Sequence, residues 1–150
     1  MDLSLEKDPG LIPQVLAKIL DASINGITLA DPDQNDIPLV YVNKAFEVMT
    51  GYSFDETVGK NCRFLQGNDK NQPEINMLRK ALKEKSSVNV TLRNYKKNGQ
   101  LFYNQLLIQP LFDNKNNLLY YLGVQFDITE KINKNKEIEA LIKKVQDLNG

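Results

Sequence analysis

The residues of this chain best suited to chemistry lie at positions 59–67, which read Gly-Lys-Asn-Cys-Arg-Phe-Leu-Gln-Gly. Cys62 is the only cysteine among 150 residues, so it cannot form an internal disulfide and is available for a nucleophilic, redox or interfacial role. If the segment is a short helix, Gln66 lies four positions after Cys62 and three after Arg63, on one surface. A thiol, an amide and a cation together suit a ligand with an electrophilic ring and an anionic tail. A lone cysteine is otherwise often an inert core residue.

The composition excludes several classes of catalytic and metal site. The chain contains no histidine, which excludes Ser-His-Asp and Cys-His catalytic arrangements. Zinc sites that use histidine are excluded for the same reason, and one cysteine cannot form a thiolate cage, so we expect no metal site. Neither the dinucleotide-binding glycine motif nor a P-loop motif occurs. Any reaction of Cys62 must therefore find its proton acceptor outside the imidazole group.

Charge and hydropathy limit the partners of the chain. Lys plus Arg and Asp plus Glu both number 19, whereas surfaces that bind nucleic acid are strongly basic. The longest apolar run, residues 118–124, is far shorter than the roughly 18 residues of a membrane span. The N-terminus carries Asp2, Glu6 and Asp8 and lacks the basic and apolar regions of a secretory signal. We expect a cytoplasmic protein with no nucleic-acid and no membrane partner.

Local signals predict several short helices. Asp8 and Pro9 indicate the start of the first helix, and the apolar residues that follow, up to Leu20, recur at helical spacing. Asn43 is expected to cap a second helix, and Gly51 to end it. Further helix starts are predicted at a capping box formed by Ser53 and Glu56, and at Asn71-Gln72-Pro73-Glu74.

Apolar runs between these helices predict a single sheet. The predicted strands are residues 26–30, 38–42, 88–92, 101–111 and 118–128. Asn98-Gly99 is typical of a type I′ hairpin turn, and residues 114–117 indicate a second turn. Two strands, several short helices and then a three-stranded meander predict an α+β domain with one antiparallel sheet.

A change in composition after Thr129 indicates a C-terminal helix over residues 129–150. Ile138, Leu141, Val145 and Leu148 recur at spacings of three, four and three, which is a short heptad repeat and a possible coiled coil. A helix of two heptads is marginal in water by itself. It must pack on the sheet, on a second copy, or on a segment beyond this sequence.

The sequence Asn61-Cys62-Arg63-Phe64-Leu65-Gln66-Gly67 resembles the signature of LOV domains, the flavin-binding, blue-light-sensing branch of the PAS superfamily. Asn94-Tyr95, Phe102-Tyr103-Asn104 and Gly123-Val124-Gln125 follow in the order and spacing of that family. The resemblance covers about residues 22–129 and is specific, because several separate motifs agree. It implies a PAS fold, with a five-stranded antiparallel sheet, short helices on one face, and flanking N- and C-terminal helices.

The resemblance to short bacterial LOV proteins also implies an organisation and a function. The expected units are an N-terminal amphipathic helix at 1–21, a flavin-binding core at 22–128 and the C-terminal helix at 129–150. The implied function is blue-light reception without enzymatic turnover. FMN is held non-covalently, and light drives a reversible bond between Cys62 and ring carbon C4a. Signalling would pass through the flanking helices, a homodimer formed by them, and a downstream protein that the sequence does not identify.

The site residues follow from the same resemblance. Arg63 and Arg79 are expected to bind the phosphate, and Asn94 and Asn104 the pyrimidine edge of the ring. Asn61 and Gln66 are expected near the ribityl chain and the ring edge, and Gln125 is the expected switch amide. The apolar walls of the site are expected to be Leu65, Leu106, Ile108 and Tyr121. From the residues alone, Arg79 could also be an exposed surface arginine, and Asn94 a hairpin cap.

Three positions depart from the family pattern. Thr28, itself a predicted cofactor-binding residue, and Ala30 stand where relatives often carry Val and Thr, and Ile37 stands where many carry Asn near the flavin. We expect these changes to alter flavin affinity or adduct lifetime. Three other functions stay open at this point: a PAS domain that senses redox state through a flavin, a dimerisation module with nothing bound, and the sensor end of a kinase or cyclic-nucleotide enzyme.

Overall fold

A computed structural model describes residues 12–150. The predicted helix start at Asp8 and Pro9 lies outside this range. The helices are α1 (Ile12–Ala22), α2 (Lys44–Thr50), α3 (Phe54–Thr57), a 3₁₀ turn (Cys62–Gln66), α4 (Pro73–Glu84) and α5 (Thr129–Asn149). The strands are β1 (Gly26–Ala30), β2 (Leu39–Val42), β3 (Val88–Tyr95), β4 (Leu101–Phe112) and β5 (Leu118–Asp127).

The five strands form one sheet in the order β2-β1-β5-β4-β3, and each neighbouring pair is antiparallel. This confirms the predicted α+β class with a five-stranded antiparallel sheet. The first and last strands of the chain, β1 and β5, lie next to each other in the middle of the sheet. Thr28 therefore pairs with Gly123, and Gly26 with Gln125. Residues far apart in sequence therefore meet on one inner face.

The inner face of the sheet is recognised by alternating burial along β3 and β4. Successive side chains of a strand point to opposite faces, and the buried ones here include Val90, Leu92 and Leu106. These three pack against Ile75 of α4. The short helices thus cover one face of the sheet, and the space between the two layers is where a ligand can be enclosed.

The predicted caps of α2 and α3 are confirmed. The Asn43 side chain accepts hydrogen bonds from the backbone N–H of Phe46, at 3.1 Å, and of Ile27, at 2.8 Å. Gly51 ends α2 with a left-handed φ of 78°, a conformation that costs glycine little. Ser53 and Glu56 form both bonds of a capping box. Through these two hydrogen bonds Asn43 also holds the start of α2 against β1.

The prediction of a type I′ turn at Asn98-Gly99 is wrong. A type I′ turn needs positive φ at both central residues, and Gly99 has a φ of 88° while Asn98 is not among the residues with positive φ. The Gly99 N–H donates to the Lys96 carbonyl at 2.8 Å, and the Lys96 N–H donates to the Gln100 carbonyl at 2.9 Å. The loop therefore consists of the three residues 97–99, one more than predicted. Three-residue hairpin loops need a left-handed residue at their last position, and Gly99 occupies that position.

Helix α5 leaves the sheet directly after β5. Thr129 Oγ1 accepts a hydrogen bond from the Tyr103 N–H at 2.9 Å, which anchors the first turn to β4. From Asn133 onward every residue of the helix is exposed. Packing of the heptad residues on the sheet is therefore not observed. No helix within residues 12–150 combines the length and the apolar character that crossing a membrane requires.

An ion pair holds the segment after the 3₁₀ turn against β3. Asp69 accepts hydrogen bonds from Arg93 Nε at 2.7 Å, from Arg93 Nη2 at 2.8 Å and from the Tyr95 hydroxyl at 2.7 Å. The Arg93 guanidinium, followed by the Tyr95 hydroxyl, lowers the pKa of Asp69 from 3.8 to about 2. The ionised carboxylate therefore stabilises the fold above pH 3.8, and this contribution is lost as the pH falls towards 2.

We expect the free energy of unfolding of the parent protein to decline between pH 3.8 and pH 2 more steeply than that of Asp69→Asn. The amide cannot titrate, so the variant is weaker at neutral pH and less sensitive to acid. Urea unfolding at stepped pH measures both slopes. Asp147→Asn, which removes a carboxylate from the exposed end of α5, is the control and should keep the slope of the parent. Equal slopes for the parent and Asp69→Asn would contradict the prediction.

Candidate functional site

A cavity lies between the inner face of the sheet and the helical layer. The cavity has a volume of about 80 Å³ and is open to solvent on one side. Its lining residues are Thr28, Ala30, Ile37, Leu39, Asn61, Cys62, Arg63, Gln66, Leu78, Leu82, Leu92, Asn94, Leu106, Ile108 and Tyr121. The wall is mostly apolar, with a thiol, a hydroxyl, amides and one guanidinium placed in it.

The structure brings most of the predicted site residues to this cavity. Those on its wall are Thr28, Asn61, Cys62, Arg63, Gln66, Asn94, Leu106, Ile108 and Tyr121. Asn104 and Gln125 lie directly behind the wall, because Asn104 Nδ2 donates to Asn94 Oδ1 at 3.0 Å and Gln125 Nε2 donates to Thr28 Oγ1 at 3.1 Å. The thiol and the amide cluster therefore belong to one site.

Two further predicted residues, Leu65 and Arg79, lie neither in the lining of the cavity nor hydrogen-bonded to it. Leu65 is 1% exposed and belongs to a core cluster with Val42 and Phe46. Arg79 is exposed on α4, although Leu78 and Leu82 of the same helix border the cavity. The roles assigned to Leu65 and Arg79 stay predictions.

Sequence reasoning did not assign several apolar wall residues to the site. These are Leu39, Leu78, Leu82 and Leu92, with Ala30 and Ile37 noted earlier only as departures from the family pattern. The spacing of Leu78 and Leu82 indicates a buried face of α4. Periodicity identifies such a face but does not show whether it borders a cavity or a filled core.

The 3₁₀ turn presents Cys62 to the cavity. Asn61 caps the turn, and its side-chain oxygen accepts from the Arg63 N–H at 3.0 Å. Cys62 is half-buried, and desolvation by the surrounding protein raises the pKa of the thiol to about 11. At neutral pH Cys62 is therefore a neutral thiol that still carries its proton. It needs a strongly electrophilic partner, since its own thiolate fraction is small.

Arg63 stands at the mouth of the cavity and pairs with Asp36. The hydrogen bond from Arg63 lowers the pKa of the Asp36 carboxyl. The loop that carries Asp36 is shaped by left-handed φ angles of 66° at Asp36 and 47° at Ile37, and Asn61 Nδ2 donates to the Asp36 carbonyl at 2.6 Å. Sequence reasoning missed Asp36, because it lies 27 positions before Arg63 and no local pattern links the two.

Two buried amide oxygens directly behind the cavity wall lack hydrogen-bond partners among the residues that the structure describes. Within the part of the chain that the structure describes, Asn104 Oδ1 and Gln125 Oε1 are buried and without a hydrogen-bond partner. Buried polar atoms in proteins are nearly always paired, and unpaired ones point to a ligand or an ordered water. Residues 12–150 contain no group of three or more potential metal ligands. Unpaired amide oxygens beside a mostly apolar lining suit an organic ligand with its own hydrogen-bond donors.

Comparison with known proteins agrees with this geometry. A PAS-domain family profile matches residues 24–130. A blue-light photoreceptor of Listeria innocua is 42% identical over 134 residues, which are 89% of this chain and 53% of that protein. The chain thus spans about half the length of that curated relative.

Solved structures with the same fold include light-sensing domains. The LOV domain of a blue-light-activated histidine kinase from Erythrobacter litoralis is 45% identical, with a TM-score of 0.66 over 70% of this chain and 96% of that chain. The structure of an RNA-binding Light-Oxygen-Voltage receptor is 32% identical, with a TM-score of 0.83 over 95% of this chain and 40% of that chain.

Proposed function

Because the chain belongs to the LOV family of PAS domains, we propose that it is a blue-light photosensory module that holds FMN and reacts with it reversibly through Cys62. Two of its relatives are named blue-light photoreceptors. The observation that carries the proposal is the placement of one neutral thiol on the wall of a cavity that is also lined by side-chain amides. Such a module signals without turnover of a substrate.

The residues of the cavity fit FMN. The pyrimidine edge of a flavin alternates acceptors with a donor, and side-chain amides supply both kinds of partner. The side-chain amides of Asn94 and Asn104 are hydrogen-bonded to each other. Asn104 Oδ1 has no partner within the described residues and can accept a hydrogen bond from the ring. Leu106 and Ile108 supply an apolar surface for the ring. The amide edge and the apolar wall together match a flat ring with one polar side.

The mouth of the cavity fits the phosphate. Arg63 lies there, and a planar guanidinium binds phosphate oxygens well. Lys70 Nζ is 3.5 Å from Gln66 Oε1 and adds a second cation beside the wall. Arg79 is exposed on the neighbouring helix and is proposed as a further phosphate ligand. Asp36 forms an ion pair with Arg63 and thereby partly neutralises the charge of the guanidinium.

The role of Cys62 is to deliver both a sulfur and a proton. Bound FMN would supply, once excited by light, an electrophilic acceptor, and Cys62 would provide both its sulfur and its proton and regain the proton in the dark. The raised pKa of Cys62 keeps that proton on the sulfur until it is needed. The chain has no histidine, so the reaction proceeds without an imidazole base.

Gln125 is proposed to transmit the effect of the reaction at the ring to α5. Its side chain is fully buried on β5, and an amide can exchange its donor for its acceptor by rotating. Three residues later the Ile128 N–H donates to the Tyr103 carbonyl at 3.0 Å, directly before α5 begins. A rotated amide at Gln125 would alter bonding on β5 close to this anchor, and a helix that is otherwise exposed is free to repack.

We propose that a second copy of the chain covers the apolar stripe of α5. Ile138, Leu141, Ile142 and Val145 are each at least half exposed, at heptad spacing that suits a coiled coil. We expect Leu141→Glu to dissociate the dimer, because it places a charge in the middle of the apolar contact. Ala140→Glu adds the same charge on the same helix outside that stripe and should leave the dimer intact. Light scattering after gel filtration measures both, and a parent protein that is monomeric would contradict the proposal.

The test of the proposed function is the absorption spectrum of the purified protein before and after a blue flash. We expect a yellow protein whose flavin band bleaches on illumination and returns in the dark. A yellow protein that responds to reductant but not to light would favour a redox-sensing PAS domain. A colourless protein that stays colourless after FMN is added would favour a dimerisation module and end the proposal.

A further inference from the structure

Arg63 is the cation that the cavity offers to an anionic ligand. Of the cavity-lining residues within 12–150, it alone carries a positive charge. Its Nη2 already donates to Asp36 Oδ2, and the two charged groups form an ion pair. Both side chains are about half exposed, at 50% for Arg63 and 54% for Asp36, so an anion can reach the guanidinium from solvent.

The loop between β1 and β2 places the carboxylate beside Arg63. Asp36 and Ile37 have left-handed φ angles of 66° and 47°, a conformation that aspartate and asparagine tolerate better than most residues. Asn61 Nδ2 donates to the Asp36 carbonyl at 2.6 Å, and the Ile37 N–H donates to the Gln34 carbonyl at 3.2 Å. These backbone contacts do not involve the ion pair, so the loop keeps Asp36 beside the site when Arg63 contacts a ligand.

We propose that Asp36 is a specificity-determining residue, whose carboxylate competes with the phosphate of the ligand for Arg63 and so lowers the preference of the site for phosphorylated over unphosphorylated flavin. This inference rests on the proposed function. An exposed ion pair is weak, so a phosphate can take the guanidinium from the carboxylate or share it. Sharing brings two like charges together, which costs free energy. Riboflavin has no phosphate and does not meet this cost.

We expect Asp36→Asn to bind FMN about three to ten times more tightly than the parent, the factor expected for removing one unit charge close to a phosphate at a partly exposed site. Its affinity for riboflavin should stay near the parent value. Asparagine has the size of aspartate, tolerates the left-handed backbone at this position and keeps a side-chain oxygen that can accept from Arg63. The substitution therefore removes the charge and preserves the orientation of the guanidinium.

Asp33→Asn is the matched control. Asp33 is an exposed carboxylate of the same loop, whereas the carboxylate that the structure pairs with Arg63 is that of Asp36. The control removes the same charge from the loop and should change the affinity for FMN much less. In an Arg63→Gln background, Asp36→Asn should lose most of its effect, because no guanidinium then draws the phosphate to the carboxylate.

Titration of flavin-free protein with FMN and with riboflavin, followed by quenching of flavin fluorescence, measures the ratio of the two affinities for each variant. A ratio that rises in Asp36→Asn, and not in the control, supports the inference. The rise should shrink at about 1 M salt, where the screening length is about 3 Å. A rise that salt leaves unchanged would overturn the inference, because charge would not be its cause.

Four further results would overturn the inference. They are a ratio in Asp36→Asn equal to that of the parent, an equal rise in Asp33→Asn, an undiminished rise in the Arg63→Gln background, and weaker binding of FMN by Asp36→Asn. The last would show that the carboxylate positions Arg63 for the phosphate and does not compete with it. A parent protein that binds neither flavin would contradict the proposed function, and the inference with it.

Discussion

Cys62→Ala is expected to abolish reversible bleaching completely while the purified protein stays yellow and fluorescent. The chain has one cysteine, so no second thiol can replace it. The cavity keeps its amides, its apolar wall and its guanidinium in this variant, so FMN should still bind. The measurement is the absorption spectrum before and after a blue flash, with fluorescence to confirm that the flavin is retained.

Cys62→Ser is the matched control for size and polarity at this position. A hydroxyl is a much weaker nucleophile than a thiol at neutral pH, so the serine variant should also fail to bleach. Reversible bleaching of the alanine variant with the kinetics of the parent would show that Cys62 is not the reacting group. A colourless alanine variant would mean that Cys62 contributes to flavin binding, contrary to the role proposed for it.

Asn94→Ala is expected to weaken binding of FMN by about ten- to a hundredfold. The change removes from the cavity wall an amide that is proposed to pair with the ring, so a polar atom of the bound ring is left buried without its partner. A buried polar group left unpaired costs about 1–3 kcal/mol, and each 1.4 kcal/mol is about tenfold in affinity. Titration of flavin-free protein with FMN, followed by quenching of flavin fluorescence, measures the loss.

Riboflavin has the ring of FMN but lacks the phosphate. Comparing the affinities for riboflavin and FMN therefore distinguishes contacts to the ring from contacts to the phosphate. Asn94→Ala should weaken riboflavin and FMN by the same factor, because the asparagine is proposed to bind the ring. Arg63→Gln should weaken FMN alone, because the guanidinium is proposed to bind the phosphate. Gln105→Ala, next to Asn104 on β4 but on the opposite face of the sheet, is the control. An Asn94 variant that binds both flavins as the parent does would contradict the assignment of the pyrimidine edge.

Local sequence signals predicted most of the elements correctly, because each depends on contacts between near neighbours. The Asn43 cap and the Ser53 capping box involve residues three positions apart. The strand over residues 26–30 has the bounds predicted for it. The turn at Asn98-Gly99 was predicted wrongly, since the dipeptide alone does not specify how many residues the two strands leave for the loop.

The candidate site was predictable to the extent that a motif identified its residues. Cys62, Asn94 and Ile108 were expected at the site, and the structure places all three in the lining of one cavity. Leu65 lies four residues from Asn61 in the same motif, yet the structure places it in a core cluster and not in the lining of the cavity. A motif identifies which residues matter but not towards which side a 3₁₀ turn directs each of them.

The sequence by itself determined the single cysteine, the order of the elements and the heptad residues of α5, because these depend on residue type and short spacing. Only the tertiary structure brought Asp36 to Arg63, across 27 positions, and Thr28 to Gln125, across 97. The pairing of β1 with β5 decided the second contact, and the loop before β2 decided the first. Both contacts arise from the path of the chain through space, and no local pattern of residue types contains that information.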